Sequence, residues 1–422
     1  MKENAFTHYI RDNTLYGRFK DAAREDKLPI LDNKTFERMN AEYGKEKMRT
    51  TLADYIATER PVFPLKEITK DDMRKSFFDL QKFDTSTICI PNEQVEKTVF
   101  EKYDDYKYNF KEYGLGIIDG PSTYNLSSNY FMQELRLNCS SYGFKAPIDV
   151  WKNGTAKDIW RCLGPIWRGI NSERHLKEAT YMSAFRLGTY IATQFKPVVA
   201  KTIYDMTNAK TVLDTSCGWG DRLAGFFASN ATEYHGCDPN PNTYLNYQKQ
   251  CQEYNKLFPG KKVVIHRCGA ENLDYDKLPP IDVAFTSPPY FSTEQYNKGG
   301  VHETDQSWHK FNEYEKWRDE FYLPVARETL KVSKFMFVNI MDPKIKNQRY
   351  RSSDELVDAF KDKFMGQIGM RIMQRPQGTA KFKTKEELNQ FMAMKYIENI
   401  WCFGPKEDLF KTSRVATLDA FL

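Results

Sequence analysis

The 422-residue sequence predicts an α/β fold: a mostly parallel sheet in the second half of the chain, preceded by a mixed, mainly helical segment. From residue 210 onward, short apolar runs alternate with amphipathic stretches of helical length, which favours right-handed βαβ units. Glycine, proline or acidic residues follow the apolar runs, where strands would end. Ligands of parallel sheets bind beyond the carboxyl ends of the strands, so a site is expected there.

Composition limits the class of protein. Hydrophobic residues make up 41% and charged residues 28% of the chain, as in globular proteins. No apolar run approaches the ~20 residues of a membrane helix, and the N-terminus lacks the apolar core of a signal peptide. The eight cysteines form no CxxC pair and the six histidines show no ligand spacing. We therefore expect a cytoplasmic protein with no membrane partner and no metal.

Length and pattern predict two domains, residues 1–180 and 181–422. The first domain is rich in short polar helices, for example "NKTFERMNAEYGKEKMRTTLADYIATE". Ser172 is placed to cap a helix that follows it, and Lys196-Pro197 ends that helix. Pro197 then suits the first position of the next helix.

Five strands and their helices follow in order. The strands lie in "TVLDTSCGWGD", "EYHGCDPNP", "KKVVIHRCGAENL", "PIDVAFTSPPY" and "KFMFVNI", and "YIENIWCF" reads as a late strand. The helices lie in "DRLAGFFAS", "NTYLNYQKQCQEYNKLF" and "NEYEKWRDEFYLPVARETLK".

The first two strands carry features typical of a cofactor site. Asp214 closes the first strand, and a glycine turn with Gly218 and Gly220 lets a ligand approach the backbone and the amides of the next helix. Asp238 closes the second strand, where a carboxylate can hold ribose hydroxyls. The third glycine of a nicotinamide-type GxGxxG turn is missing. The alternative is a turn that only packs a helix on the sheet.

The fourth strand ends on Ser287-Pro288-Pro289-Tyr290, followed by Phe291. Two prolines cannot continue a central strand, because neither has a backbone N–H to donate. The alternatives are a rigid surface turn and a catalytic turn at the carboxyl edge of the sheet.

These pieces together resemble the DNA amino-methyltransferases, within the class I S-adenosylmethionine-dependent fold. The resemblance covers about residues 185–405 and rests on "TQFKPVVAKTIYD", "LDTSCGWGDRL", "GCDPNP", "CGAENL" and "TSPPYF". It implies a Rossmann-like class I methyltransferase sheet with helices on both faces. It makes residues 181–422 the methyltransferase domain, with a catalytic core at about 185–345, and leaves 1–180 as an accessory or DNA-recognition domain.

The resemblance also assigns a cofactor, S-adenosyl-L-methionine, and the residues that bind it. Where the family usually has Asp-x-Phe-x-Gly-x-Gly, Ser216 replaces the phenylalanine. The implied cofactor-binding residues enclose the methionine end (Thr193, Phe195, Lys196, Pro197), form the glycine loop (Asp214, Ser216, Cys217, Gly218, Gly220), hold the ribose (Asp238, Pro239) and lie near the adenine (Glu271).

For the catalytic turn, the resemblance implies methyl transfer to the exocyclic amino group of a flipped base in DNA. Such an amine is a poor nucleophile because its lone pair is delocalised into the ring. The Ser287 hydroxyl and the Pro288 carbonyl would accept hydrogen bonds from it, with Pro289 stiffening the turn. Tyr290 would stack on the base and Phe291 would add an apolar wall. Serine at the first position favours cytosine N4 over adenine N6.

Two basic segments at 344–353 and 371–387 follow the fifth strand. We interpret Arg349, Arg351, Arg375 and Lys381 as phosphate contacts in a DNA-contacting segment at about 344–390; the alternative is a solvated surface. Glu398 and Trp401 are interpreted as structural.

Alternative functions are methyl transfer to RNA or to a protein glutamine, or nucleic-acid binding by an inactive methyltransferase fold.

Overall fold

The computed structural model describes residues 6, 9–95, 99–101, 105–141, 143–168, 175–372, 384–387, 389, 395–407 and 409–410. The chain divides into two units. The helical unit comprises Met1–Ile68, Gln133–Thr193 and Gln295–Gly300, and the sheet unit comprises Thr69–Met132, Gln194–Glu294 and Val301–Leu422.

The secondary structure elements are as follows. The helices are α1 (Asn13–Asp21), α2 (Asn33–Tyr43), α3 (Lys45–Glu59), α4 (Lys70–Lys82), α5 (Phe110–Tyr113), α6 (Leu126–Asn138), α7 (Pro147–Asn153), α8 (Ala156–Leu163), α9 (Glu178–Gly188), α10 (Pro197–Met206), α11 (Asp221–Ala228), α12 (Pro241–Leu257), α13 (Ser307–Lys310), α14 (Tyr314–Trp317), α15 (Leu323–Val332) and α16 (Ser352–Ala359). The strands are β1 (Cys89–Pro91), β2 (Val99–Glu101), β3 (Gly114–Ile118), β4 (Thr211–Asp214), β5 (Glu233–Cys237), β6 (Lys262–His266), β7 (Ile281–Thr286), β8 (Ser333–Asn339), β9 (Lys344–Ile345), β10 (Gln348–Arg349), β11 (Phe364–Arg371) and β12 (Lys395–Phe403).

The helical unit is built around buried aromatic rings. Trp151 is fully buried, donates its indole N–H to the Pro61 carbonyl at 2.6 Å, and packs edge-on against Phe63 and Phe185. Trp167 is buried as well. The helices predicted between residues 33 and 59 are α2 and α3. Ser172, the predicted cap, lies outside the described residues.

The sheet unit is organised by one ten-stranded sheet. Its strand order is β1-β3-β11-β12-β8-β7-β4-β5-β6, and β2 pairs with β12. Strands β4 to β8 are parallel, as predicted, and β12 is antiparallel to β8 and β11. This is the Rossmann-like class I methyltransferase fold that the sequence predicts.

The chain reverses its direction of travel across the sheet between β4 and β7. From β4 it moves outward to β5 and β6, and then returns to β7 and β8 on the other side. The crevice at such a reversal is where ligands of open α/β sheets bind. The carboxyl ends of the two central strands are joined by a hydrogen bond between hydroxyl groups: Thr215 Oγ1, just after β4, lies 3.0 Å from Thr286 Oγ1, the last residue of β7.

The observed division of the chain differs from the predicted boundary near residue 180. Residues 69–132 belong to the sheet unit, because β3 pairs in parallel with β11 and β1 extends the sheet beyond β3. Pro197 does begin α10. Within the described residues, no helix combines the length and the apolar character needed to cross a membrane.

Candidate functional site

The predicted glycine loop links β4 to α11. Gly218 and Gly220 both have left-handed backbone, with φ of 60° and 72°. A β-carbon on Gly218 would have no atom nearer than 3.7 Å, whereas one on Gly220 would lie 2.3 Å from Gln250 Oε1. Gly220 caps α11 with no side-chain hydrogen bond. A β-carbon would therefore fit at Gly218 in ordinary van der Waals contact but would clash at Gly220, and the loop presents the backbone amides at the start of α11.

Below the loop, Asp214 is fully buried and bound to protein groups. Its carboxylate accepts hydrogen bonds from Arg222 Nε at 2.8 Å, the Tyr234 hydroxyl at 2.8 Å and the Ser216 amide at 3.1 Å. Arg222 also donates to the Ser216 carbonyl. Burial by itself lowers the pKa of Arg222, but Asp214 outweighs that effect and keeps the pKa above its ordinary value. Asp214 therefore shapes the loop from beneath.

Cys217, the next residue of the loop, is buried. Its amide donates to the Cys237 carbonyl at 3.1 Å, which fastens the loop to the end of β5. Burial, with Asp214 nearby, raises the pKa of the Cys217 thiol well above its ordinary value, so the thiol stays neutral.

At the end of β5, Asp238 lies in a polar cluster with the start of α12. Oδ1 accepts from the Asn240 amide at 2.9 Å and from Thr243 Oγ1 at 3.0 Å, and Oδ2 lies 2.9 Å from the Tyr247 hydroxyl. Burial raises the pKa of Asp238 to about 6, against the opposing effect of these hydrogen bonds. Pro239 connects this carboxylate to Asn240, which caps α12.

Two residues of α12 that the sequence analysis did not select hold the glycine loop. The Tyr247 hydroxyl, which has one proton, lies within hydrogen-bond distance of the Gly218 carbonyl as well as of Asp238 Oδ2. Gln250 Nε2 donates to the Gly220 carbonyl at 2.8 Å. Their spacing in the sequence could have indicated them, because Thr243, Tyr247, Gln250 and Tyr254 recur at helical intervals and are the buried residues of α12. A stripe of polar residues at helical spacing, next to the strand that ends in Asp238, marks the face of the helix that packs on the loop.

Glu271 follows β6, as predicted, in the short 3₁₀ turn Ala270–Asn272. Its carboxylate pairs with Lys310 Nζ at 2.9 Å, and both side chains are partly buried. The acidic residues Asp214, Asp238 and Glu271, at or just after the ends of β4, β5 and β6, thus share one edge of the sheet.

The segment before α10 contributes packing to the sheet unit. The Phe195 ring packs edge-on against Phe285 of β7, with centroids 5.5 Å apart. Lys196 donates to the carbonyls of Gly120 and Arg371, each at 2.7 Å, and burial lowers its pKa. Thr193, also predicted to bind the cofactor, is the last residue of a segment of the helical unit.

The Ser-Pro-Pro-Tyr turn lies directly beyond β7, beside the glycine loop. The Phe291 amide donates to the Pro289 carbonyl at 2.9 Å, which forms a tight turn around Tyr290. No backbone amide of the described residues donates to the Pro288 carbonyl. The Ser287 hydroxyl lies 3.2 Å from that of Tyr290. Both predicted acceptors, Ser287 Oγ and the Pro288 carbonyl, belong to this turn.

The two aromatic residues of the turn are both buried. Tyr290 is 6% exposed, and its hydroxyl lies 3.2 Å from the Asn339 carbonyl and 3.3 Å from Glu398 Oε1. Phe291 has left-handed backbone with φ of 48°, a conformation that is uncommon outside glycine and that costs free energy. Its ring packs against Tyr314, Trp317 and Tyr350. Phe291 thus fixes the turn to the core.

Two of the arginines predicted to contact phosphates are already paired with a carboxylate of the protein. Arg349 and Arg351 both pair with Asp105, Arg351 Nη2 at 2.6 Å from Asp105 Oδ2. Arg375 and Lys381 lie outside the described residues. In the part of the chain that the structure describes, no group of three or more His, Cys, Asp or Glu side chains is arranged to hold a metal ion.

Comparisons with known proteins give likeness of structure only. No protein-family model matches the chain, and no curated protein matches it. Among solved structures, an rRNA methylase from Streptococcus thermophilus is 12% identical over 50% of this chain and 99% of its own, with a TM-score of 0.27. The N-terminal domain of EvdMO1 with SAH bound is 11% identical over 53% and 71%, with a TM-score of 0.24.

A third solved structure, the small RNA methyltransferase HEN1, is 10% identical over 50% of this chain and 26% of its own, with a TM-score of 0.32. At such TM-scores, these likenesses do not indicate what this chain binds or modifies.

Proposed function

We propose that this chain is a methyltransferase that moves a methyl group from S-adenosyl-L-methionine to the exocyclic amino group of a base in DNA, cytosine N4 in preference to adenine N6. The observation that carries the proposal is the position of Ser287 and the Pro288 carbonyl. Both acceptors lie just beyond β7, next to the glycine loop that follows β4.

The residues after β4, β5 and β6 fit an adenosyl cofactor. Gly218 lets the backbone turn close to a ligand, the amides at the start of α11 suit a carboxylate, and Asp238 suits a ribose hydroxyl. Among the described residues, one group lies within hydrogen-bond distance of Asp238 Oδ2: the Tyr247 hydroxyl, which is also placed to donate to the Gly218 carbonyl. That oxygen therefore has a lone pair for a ribose hydroxyl. The cofactor supplies an electrophilic methyl group on a sulfonium.

The acceptors at the turn suit an amine as the methyl acceptor. Hydrogen bonds from the two N–H groups to Ser287 Oγ and the Pro288 carbonyl would draw the nitrogen lone pair out of the ring plane, toward the methyl group. In the transfer, the nitrogen–carbon bond forms as the carbon–sulfur bond breaks, and the nitrogen loses its proton afterwards to solvent. Because these interactions strengthen as the nitrogen becomes positive, they lower the barrier of the chemical step.

The roles of Tyr290 and of the arginines remain predictions. Stacking of a flipped base on Tyr290 requires its ring face to open, since the residue is 6% exposed in this structure. A phosphate that binds Arg349 and Arg351 must compete with Asp105, which pairs with both. Both predictions concern how the substrate is held, and neither changes the proposed chemistry.

The test is methyl transfer from radiolabelled cofactor to separate pools of DNA, RNA and protein, followed by mass spectrometry of the nucleosides. We expect N4-methylcytosine or N6-methyladenine in DNA. The same modification in RNA alone, or label in protein glutamine, would replace DNA by that substrate. Cofactor binding with no transfer to any pool would contradict an enzymatic function.

Two variants test whether formation of the methylated product depends on the Ser-Pro-Pro-Tyr turn. Ser287→Ala should reduce the rate of transfer and leave cofactor affinity unchanged, as expected for an interaction made mainly in the transition state. Ser292→Ala, in the same loop, is the matched control and should transfer at the normal rate. Equal rates for the two variants would remove Ser287 from the site.

A further inference from the structure

A chain of hydrogen bonds connects the Ser-Pro-Pro-Tyr turn to a carboxylate on β12. The Tyr290 hydroxyl lies 3.2 Å from Ser287 Oγ and 3.3 Å from Glu398 Oε1. It also lies 3.2 Å from the Asn339 carbonyl and 3.4 Å from Asn339 Oδ1. Asn339 Nδ2 in turn donates to Glu398 Oε1 at 3.1 Å and to the Asn399 carbonyl at 3.1 Å.

Proton counting fixes the direction of these hydrogen bonds. A tyrosine hydroxyl has one proton. The carbonyl of Asn339, its side-chain oxygen and the carboxylate of Glu398 can only accept, so Tyr290 donates toward this group. Of these neighbours, the Ser287 hydroxyl alone can donate to the Tyr290 oxygen. When Ser287 does so, both of its lone pairs are available to the substrate.

Glu398 lies where it can act on the turn. The register of β12 against β8 pairs Ile400 with Asn339, so Glu398 extends two residues past the pairing, at the carboxyl edge of the parallel strands. Its neighbour Asn399 points to the other face of β12, where it donates to Glu101 Oε1 at 2.9 Å. Glu398 therefore lies near the turn on one face of β12, whereas Glu101 of β2 is hydrogen-bonded to Asn399 on the opposite face.

We propose that Glu398 is a positioning residue: through Tyr290 it holds the Ser287 hydroxyl as an acceptor and so selects a substrate group that donates hydrogen bonds. This inference rests on the proposed function. A primary amine or amide, with two N–H groups, fits two acceptors at Ser287 and Pro288. A ring nitrogen without a proton would face lone pairs on both sides and is disfavoured.

The experiment compares Glu398→Gln and Glu398→Ala with Tyr290→Phe and the double variant Tyr290→Phe/Glu398→Ala. Glu398→Ala should reduce kcat for methyl transfer about tenfold to a hundredfold, the range for one hydrogen bond to a charged group. Glu398→Gln keeps an acceptor oxygen and should recover part of that loss. Adding Glu398→Ala to Tyr290→Phe should reduce kcat little further, because the connection is already cut. Cofactor affinity should not change.

Glu101→Gln is the matched control, since it alters a hydrogen-bonded carboxylate on the opposite face of β12. We expect it to keep kcat. The inference would be overturned if Glu398→Ala lowered kcat by the same factor in the Tyr290→Phe variant as in the unaltered protein. It would also be overturned if a folded Glu398→Ala protein had normal kcat. If Glu398→Ala fails to fold, Glu398→Gln gives the same comparison. Failure of the proposed function looks different, because the unaltered protein would then show no transfer at all.

Discussion

Arg222 and Asp214 form an ion pair beneath the glycine loop, with Arg222 Nε 2.8 Å from Asp214 Oδ2 and both side chains almost wholly withdrawn from solvent. Removing one partner of a buried pair leaves an uncompensated charge. Arg222→Met should therefore lower the free energy of unfolding by about 3–5 kcal/mol, measured by denaturant unfolding. Lys331→Met, in the exposed pair with Glu328, should cost less than ~1 kcal/mol. Equal costs for the two variants would contradict the importance of burial.

Cofactor binding should depend on pH through Asp238. Folding raises the pKa of this carboxyl from 3.8 to about 6, so its ionisation costs stability as pH rises through that range. Ribose hydroxyls donate more strongly to the ionised carboxylate than to the protonated acid. Affinity should therefore be constant above this pH range and fall by up to about tenfold per pH unit below it. Calorimetry from pH 5 to 8 measures this fall, and Asp238→Asn should abolish it. A pH-independent affinity in the unaltered protein would exclude Asp238 as a ribose ligand.

Tyr247 should matter for the cofactor although it was not predicted to bind it. Its hydroxyl contacts both the Gly218 carbonyl and Asp238 Oδ2. Tyr247→Phe should weaken cofactor binding by about 1.5–3 kcal/mol, the range for a hydrogen bond to a charged group, as should Asp238→Ala. Tyr244→Phe on the same helix is the control. If calorimetry finds the two tyrosine variants alike, cofactor binding does not depend on the Tyr247 hydroxyl.

The two glycines of the loop should differ when replaced by alanine. Both pay roughly 1–2 kcal/mol for left-handed backbone. Gly220→Ala pays more, because its β-carbon would lie 2.3 Å from Gln250 Oε1, whereas Gly218→Ala meets nothing closer than 3.7 Å. Thermal unfolding without cofactor should rank Gly220→Ala as the less stable variant. The opposite ranking would show that Gln250 moves aside freely.

The proposed phosphate contacts of Arg349 and Arg351 can be tested by replacing Asp105, the carboxylate that pairs with both. Asp105 pairs with both Arg349 and Arg351 and so competes with phosphates for them. Asp105→Asn should strengthen nucleic-acid binding, and replacing both arginines by glutamine should reduce the salt slope by ~0.9 per lost duplex contact. Binding measured from low to high salt decides this. Unchanged slopes would leave these residues as a surface ion-pair cluster.

Much of the sheet could be predicted from local pattern. Strands β4 to β8 and β12 are apolar runs with clear ends, and Pro197 marks the start of α10. The pairing of β3 with β11 could not be predicted, since β3 stands outside the alternating βαβ series and its partner is far along the chain. Strands β4 to β6 are as short as β3, but the order of the βαβ units indicates their neighbours in the sheet.

The site could be predicted in part, for a similar reason. Strand-end residues such as Asp238 and Ser287 stand out in a sequence because their position follows from βαβ order. The burial of Asp214 by Arg222, or the approach of Glu398 to Tyr290, depends on which helix and strand pack against these ends. Glu398 was interpreted as structural because nothing local to "YIENIWCF" reveals the turn at Tyr290.

The pairing of β3 with β11 also limits the order in which the chain can fold during synthesis. Asp119, just after β3, forms an ion pair with Arg371 at the end of β11, and 252 residues separate the two. Residues 89–118 therefore leave the ribosome long before their partner strand exists. Contacts of such long sequence separation are slow to form, and unpaired strand edges invite aggregation meanwhile. The sheet is completed only after residue 403 has been made, so slower elongation should not help the N-terminal strands to fold earlier.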